Sequence, residues 1–197
     1  MNIVRSIGVL ACGAALLAGT SACTDAADDP QAQPTPAADT QVDPSNLVNL
    51  GIEQGKSGDI EKAKATFEQA LATDSENKFA WFNIGYIAHS QNQIDDAITN
   101  YDKALAIDPD FKPAIYNKAI AIEPNHAGSA IDLYKKILAL DKNASTAYVR
   151  LGILLADEGD TAGARNAFDA AVEVDPALVP VIPEEYREHY LSDDEDD

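Results

Sequence analysis

The chain has 197 residues, 46% of them hydrophobic, and carries 14 basic against 33 acidic side chains, a formal net charge of −19. That balance excludes nucleic acid as a partner, because affinity for polyphosphate comes mainly from basic residues displacing counterions, and it excludes a polybasic membrane patch. Two cysteines and three histidines leave no material for a disulfide framework or a Cys/His zinc cluster.

Residues 1–22 hold one charge, Arg5, then an apolar run from Ile7 to Ala18 and the small residues Gly19-Thr20-Ser21-Ala22 before Cys23. A basic start, a short apolar stretch and small residues at a processing point describe a secretory signal peptide. The run is well short of the ~20 residues that span a bilayer. Cys12 lies inside it and would be removed, so Cys23 is the single thiol of the exported chain. The segment Leu17–Cys23 resembles a bacterial lipoprotein signal, which implies lipidation of Cys23 as the mature N-terminus and an extracytoplasmic protein anchored to the bacterial cell membrane. The alternative is ordinary cleavage after Ala22 and a free secreted protein. Residues 23–43, with Pro30, Pro34 and Pro36 and almost nothing large and apolar, read as a disordered tether that holds the folded part off the membrane.

A unit of about 34 residues then recurs four times. Ala80-Trp81-Phe82-Asn83-Ile84-Gly85-Tyr86 precedes Ala114-Ile115-Tyr116-Asn117-Lys118-Ala119-Ile120 by 34 residues; Leu47–Ile52 and Tyr148–Ile153 start the outer copies. The second halves repeat as Ala63…Phe67…Ala70, Ala97…Tyr101…Ala104, Ala130…Tyr134…Ile137 and Ala164…Phe168…Ala171. Apolar residues at three- and four-residue spacing predict two amphipathic helices per unit. Gly58-Asp59 and Gly159-Asp160 mark the turns, with Asp as helix cap. Gly51, Gly85, Ala119 and Gly152 are expected to face Ala63, Ala97, Ala130 and Ala164, and the aromatic four places on to fill the gap between units.

These residues resemble the tetratricopeptide repeat (TPR), which implies an all-α, right-handed solenoid over residues 44–177, divided 44–77, 78–111, 112–144 and 145–177. The third copy lacks one residue between Ala119 and Ala130, and Pro124 ends its first helix early. It also carries Lys118 where the other copies have Leu or Ile. That irregularity is either drift or a local opening. Residues 178–191, with a short helix at about 184–191, are expected to cap the last unit, and residues 192–197 form an acidic disordered tail.

Nothing in the chain reads as catalytic. His89, His126 and His189 are isolated, and no phosphate loop or nucleophile elbow is present. Asp141, Asn143 and Ser145 begin like a calcium loop, but Thr146 and Gly152 stand where its Gly and Glu belong. No enzyme activity, cofactor or metal is expected.

The resemblance implies a binding module whose first helices line a concave groove. Three columns recur there: Val48, Phe82, Tyr116, Val149; Ile52, Tyr86, Ile120, Ile153; and between them Asn49, Asn83, Asn117, Arg150. An asparagine ladder offers donors and acceptors to the main chain of an extended peptide, flanked by apolar contact area. The candidate peptide-binding residues are therefore Asn49, Ile52, Phe82, Asn83, Tyr86, Tyr116, Asn117, Ile120 and Arg150. A lysine-rich carboxylate clamp is excluded, since Phe82, Pro113 and Thr146 occupy its basic positions. The expected partner is a protein or peptide of the cell envelope, with membrane contact through the lipid alone. Three alternatives stay open: the groove covered by the chain's own tether or tail, a partner bound through another face, and a self-associating structural module.

Overall fold

The computed structural model describes residues 43–187 and 190. Among them four helical hairpins follow one another: α1 (Pro44–Lys56) with α2 (Ile60–Thr73), α3 (Lys78–Ser90) with α4 (Ile94–Ile107), α5 (Lys112–Ile122) with α6 (Ala127–Leu140), and α7 (Ser145–Asp157) with α8 (Thr161–Val174). Each second helix also packs on the first helix of the next hairpin, so the core is continuous along the stack. Cys23, the tether up to residue 42 and the tail 192–197 lie outside the described residues.

The helix boundaries follow from local chemistry. Asp43, Asn77 and Asp160 each accept a backbone N–H of the first turn, and Pro44 sits where a missing N–H does no harm. Asp59 does not cap as expected; its carboxylate pairs with Lys62 instead. Every second helix ends on an aspartate. Asp74, Asp108, Asp141 and Asp175 each accept the backbone N–H two residues on, at 3.0–3.1 Å, which turns the chain into the next unit.

One aromatic per hairpin fills its centre: Phe67, Tyr101, Tyr134 and Phe168 are all buried. Full burial of each contributes about 1.5–3 kcal/mol. The small residue on the first helix meets this ring first, and Gly85 also lies close to the backbone oxygen of Ala97, the alanine expected opposite it. A methyl group on Gly51, Gly85 or Gly152 would lie 2.6, 2.8 or 2.5 Å from the ring of Phe67, Tyr101 or Phe168. The rings still reach the neighbouring unit, since Phe67 shares a cluster with Ile84 and Ile87 of α3.

The third hairpin departs as its sequence suggests. α5 stops at Ile122, two residues shorter than the other first helices, and its turn runs through Pro124. The other turns each use one residue of positive φ, Gly58, Asn92 or Gly159. The third turn dispenses with it. Lys118 does not open the stack: its ammonium pairs with Asp102 of α4 at 2.5 Å.

The terminal segment is a 3-10 helix, Pro176–Val181, followed by α9, Glu184–Arg187, within the helix expected at 184–191, of which residues 188, 189 and 191 lie outside the described residues. Ile182 and Tyr186 are buried against Phe168 and Ala164, so the segment covers the end of the core. At the opposite end the described part of α1 is polar on its outward face. Asn46 and Glu53 stand where Ala80 and Ile87 of α3 are buried against the preceding hairpin, and Leu50 of that face is exposed.

Candidate functional site

α1, α3 and α5 lie side by side, which brings the candidate residues of successive units onto one wall. The wall is not uniform. Val149 is buried in the core, a correction to its expected place in the groove, while Val48, also buried, still edges one of the depressions described next. Tyr86 is 55% exposed. Asn49 is exposed as well, and Ile52, Phe82 and Asn83 are half-buried.

Two depressions open between α1 and α3. One, of about 310 Å³, has buried Gly51, Ala63 and Phe67 as its floor and Ile52, Asn83 and Tyr86 on its walls. The other, of about 320 Å³, is bounded by Val48, Asn49, Asn77 and Phe79. Ile52 lines both. Phe79 is half exposed and meets Phe111 edge-on at 5.4 Å, while Phe82 meets Phe111 at 5.6 Å and Tyr101 at 6.0 Å. Phe79 and Phe111 were absent from the sequence-derived site. Phe111 precedes its helix and Phe79 has no aromatic counterpart in the other repeats, so column matching could not find either.

The asparagines are partly committed. The side-chain amide of Asn83 donates to Phe79 O at 2.7 Å, and that of Asn117 to Pro113 O at 2.9 Å. Each keeps its oxygen and a second hydrogen for a ligand.

The second half of the wall is tied shut by its own residues. Arg150 donates to Glu123 Oε2 at 3.0 Å, and the Tyr134 hydroxyl donates to Glu123 Oε1. Tyr116 packs edge-on against Tyr134, 5.9 Å between ring centres. Burial, and then the Glu123 hydrogen bond, push the Tyr134 phenol far above its ordinary range, so it stays a donor. Burial opposes the charge of Arg150, yet Glu123 and the neighbouring tyrosines outweigh it and raise its pKa further. Tyr116, Asn117, Ile120 and Arg150 line neither depression.

This tie has a counterpart one unit earlier, where the Tyr101 hydroxyl lies 3.4 Å from His89 Nδ1. The two central hairpins thus pair a buried tyrosine with a polar residue at the end of the first helix, His89 or Glu123. The outer two pair a phenylalanine with Gly55 or Ala156 at the same place. The covariation follows from physics, since a buried hydroxyl requires a partner. It is legible in the sequence once the columns are aligned.

Among the described residues no group of three or more His, Cys, Asp or Glu is placed to hold a metal ion, and no helix is long and apolar enough to cross a membrane.

Three family profiles, each described as tetratricopeptide repeat, match residues 44–77, 79–111 and 121–178. This is a tetratricopeptide repeat protein. The TPR solenoid is shared with solved structures of MamA, of YrrB (described as a TPR protein with an unusual peptide-binding site) and of PilW, a type IV pilus biogenesis factor. MamA is 21% identical with a TM-score of 0.63, covering 70% of this chain and 75% of its own. YrrB is 22% identical at 0.63, covering 70% and 72%, and PilW 24% identical at 0.62, covering 70% and 64%. Among curated proteins, the peroxisomal targeting signal receptor of Kluyveromyces lactis is 33% identical over 81 residues, 41% of this chain and 14% of that protein. A probable N-acetylglucosaminyltransferase, SPINDLY of Solanum lycopersicum, is 26% identical over 128 residues, 64% of this chain. This TPR chain spans 13% of that transferase's length, and so short a match carries no activity across.

Proposed function

We propose that this TPR protein is a non-enzymatic adaptor that holds an extended peptide segment of a cell-envelope protein against α1 and α3. The observation that carries the reading is the pair of adjoining depressions flanked by Asn49, Asn83 and the exposed rings of Phe79 and Tyr86. Exposed aromatics beside unspent amide groups suit an extended main chain, with contact area from the rings and orientation from the amides. Export and lipidation at Cys23 belong to the same proposal, resting on the signal-like residues 1–23. The contribution of Tyr116, Asn117, Ile120 and Arg150 is confined to the far end of the wall, where Glu123 competes for Arg150.

The polar outer face of α1 and the covered end of α8 speak against end-to-end stacking of copies, so self-association is the weaker reading.

In-cell cross-linking of the full chain, wild type against an Asn49→Ala/Asn83→Ala variant, tests the groove. Loss of specific cross-linked partners in the variant is expected; an unchanged partner set refutes groove binding. The anchor is tested separately by fractionation, where Cys23→Ala is expected to leave the membrane fraction and continued membrane association refutes lipidation at Cys23.

A further inference from the structure

Gly55 lines a depression at a place that the two central repeats fill with a side chain. His89 and Glu123 project a side chain from the equivalent places and meet the hydroxyls of Tyr101 and Tyr134. The first repeat has neither the side chain nor the hydroxyl, since Gly55 and Phe67 occupy the matching positions. The result is the depression of about 310 Å³, whose buried floor is wholly apolar. That volume sits at the low end of the ~300–1,000 Å³ typical of ligand pockets, room for a side chain rather than a cofactor. The second depression adjoins it across Ile52. Alternate side chains of an extended segment point to the same face about 7 Å apart, so adjoining depressions match residues i and i+2 of one strand.

Charge narrows the occupant further. Among the described residues Lys56 is the only charged one lining either depression, in a chain of net charge −19. Its present partner is Glu53 at 2.7 Å, and both side chains are about two-thirds exposed. A surface pair of this kind contributes little and exchanges readily for a ligand carboxylate.

We infer that the depression over Gly55 is a specificity pocket, and that the groove selects an extended segment with apolar side chains at alternate positions next to an acidic residue. This rests on the groove reading above and adds to it the chemistry of the ligand.

The test is to pan a phage-displayed random dodecapeptide library on the full-length protein, in parallel with Gly55→Leu and Asn49→Ala/Asn83→Ala. A Cβ at Gly55 meets only the Ala63 methyl, at 3.9 Å, so the leucine is accommodated at its root and improves helix propensity. Thermal unfolding at or above the wild-type midpoint verifies that the variant folds. The expected result is a wild-type consensus of apolar–any–apolar beside Asp or Glu, with affinity for Gly55→Leu reduced at least tenfold. Peptides that Gly55→Leu holds as tightly as wild type overturn the pocket. If those same peptides are lost by the asparagine variant, the groove reading stands and only the pocket fails. If neither variant weakens binding, or no peptide is enriched, both fail. Light scattering that shows a dimer dissociated by Gly55→Leu would assign the pocket to a second copy and overturn the peptide assignment.

Discussion

Gly51, Gly85 and Gly152 are required because an aromatic ring occupies the space a methyl group would need. The Phe168 ring is fully buried and has nowhere to move. Gly152→Ala therefore sets overpacking of about 1–3 kcal/mol against a helix-propensity gain of about 0.5–1 kcal/mol. Net destabilisation is expected in urea unfolding. Gly128→Ala, with nothing within 4 Å of the new methyl, is expected to stabilise in the same assay. A second residue-scale effect concerns pH. Hydrogen bonds from Lys78 and Lys112, aided by the backbone N–H groups of Asp110 and Asn143, hold the carboxyls of Asp108 and Asp141 below their ordinary value of 3.8. A depressed folded-state pKa contributes stability above the unfolded value, and that contribution is lost as pH falls through the folded one. The stability gap between wild type and a Lys78→Met/Lys112→Met variant should hold constant from about pH 7 to 5 and close below about pH 4. A gap that persists to lower pH would refute the assignment.

At the scale of elements, the third hairpin is the informative one. A shortened α5 and a turn through Pro124 leave less helix to pack, and Glu123, mostly buried, joins α5 to α6 through Tyr134 and to α7 through Arg150. Removing the carboxylate strands a buried hydroxyl and an arginine together. Glu123→Ala is expected to destabilise by about 1.5–3 kcal/mol, with faster amide exchange in α5 and α6 than in α1 and α2. Glu123→Gln keeps an acceptor for Tyr134 and should cost less. The position and early end of this hairpin were readable from Pro124 and the missing residue, because proline geometry is local. The compensation was not, because Glu123 and Arg150 are 27 residues apart and meet only after α5 and α7 are packed. Lys118 teaches the same point. Its charge reads as a break in an apolar column, whereas Asp102 on the preceding helix neutralises it.

Across the whole repeat array, stability is a sum of units and their interfaces, and the ends need closing. The first end is closed by composition, with Asn46 and Glu53 replacing the apolar Ala80 and Ile87 of α3. The last is closed by packing, with Ile182 and Tyr186 over Phe168. Ile182→Ala is expected to destabilise by about 2–5 kcal/mol and to raise amide exchange first in α7 and α8, leaving the first two hairpins unchanged. Uniform acceleration along the chain would mean the cap acts on the whole array at once. Of the net charge, −5 lies in residues 23–43 and −7 in 184–197, so the wall of first helices that holds the groove is the less acidic part of the chain.

The repeat length, the helical pairing, the irregular third unit and the candidate columns were all present in the sequence, because helix periodicity and a 34-residue repeat are properties of chain order. Which members of those columns stand beside open space was decided only by tertiary structure. Val149 falls into the core, Arg150 is drawn to Glu123, and Asn49 and Asn83 are left beside open space. Identical columns diverge because each position is filled or vacated by side chains from neighbouring helices, and the empty place over Gly55 exists only once α1, α2 and α3 are assembled.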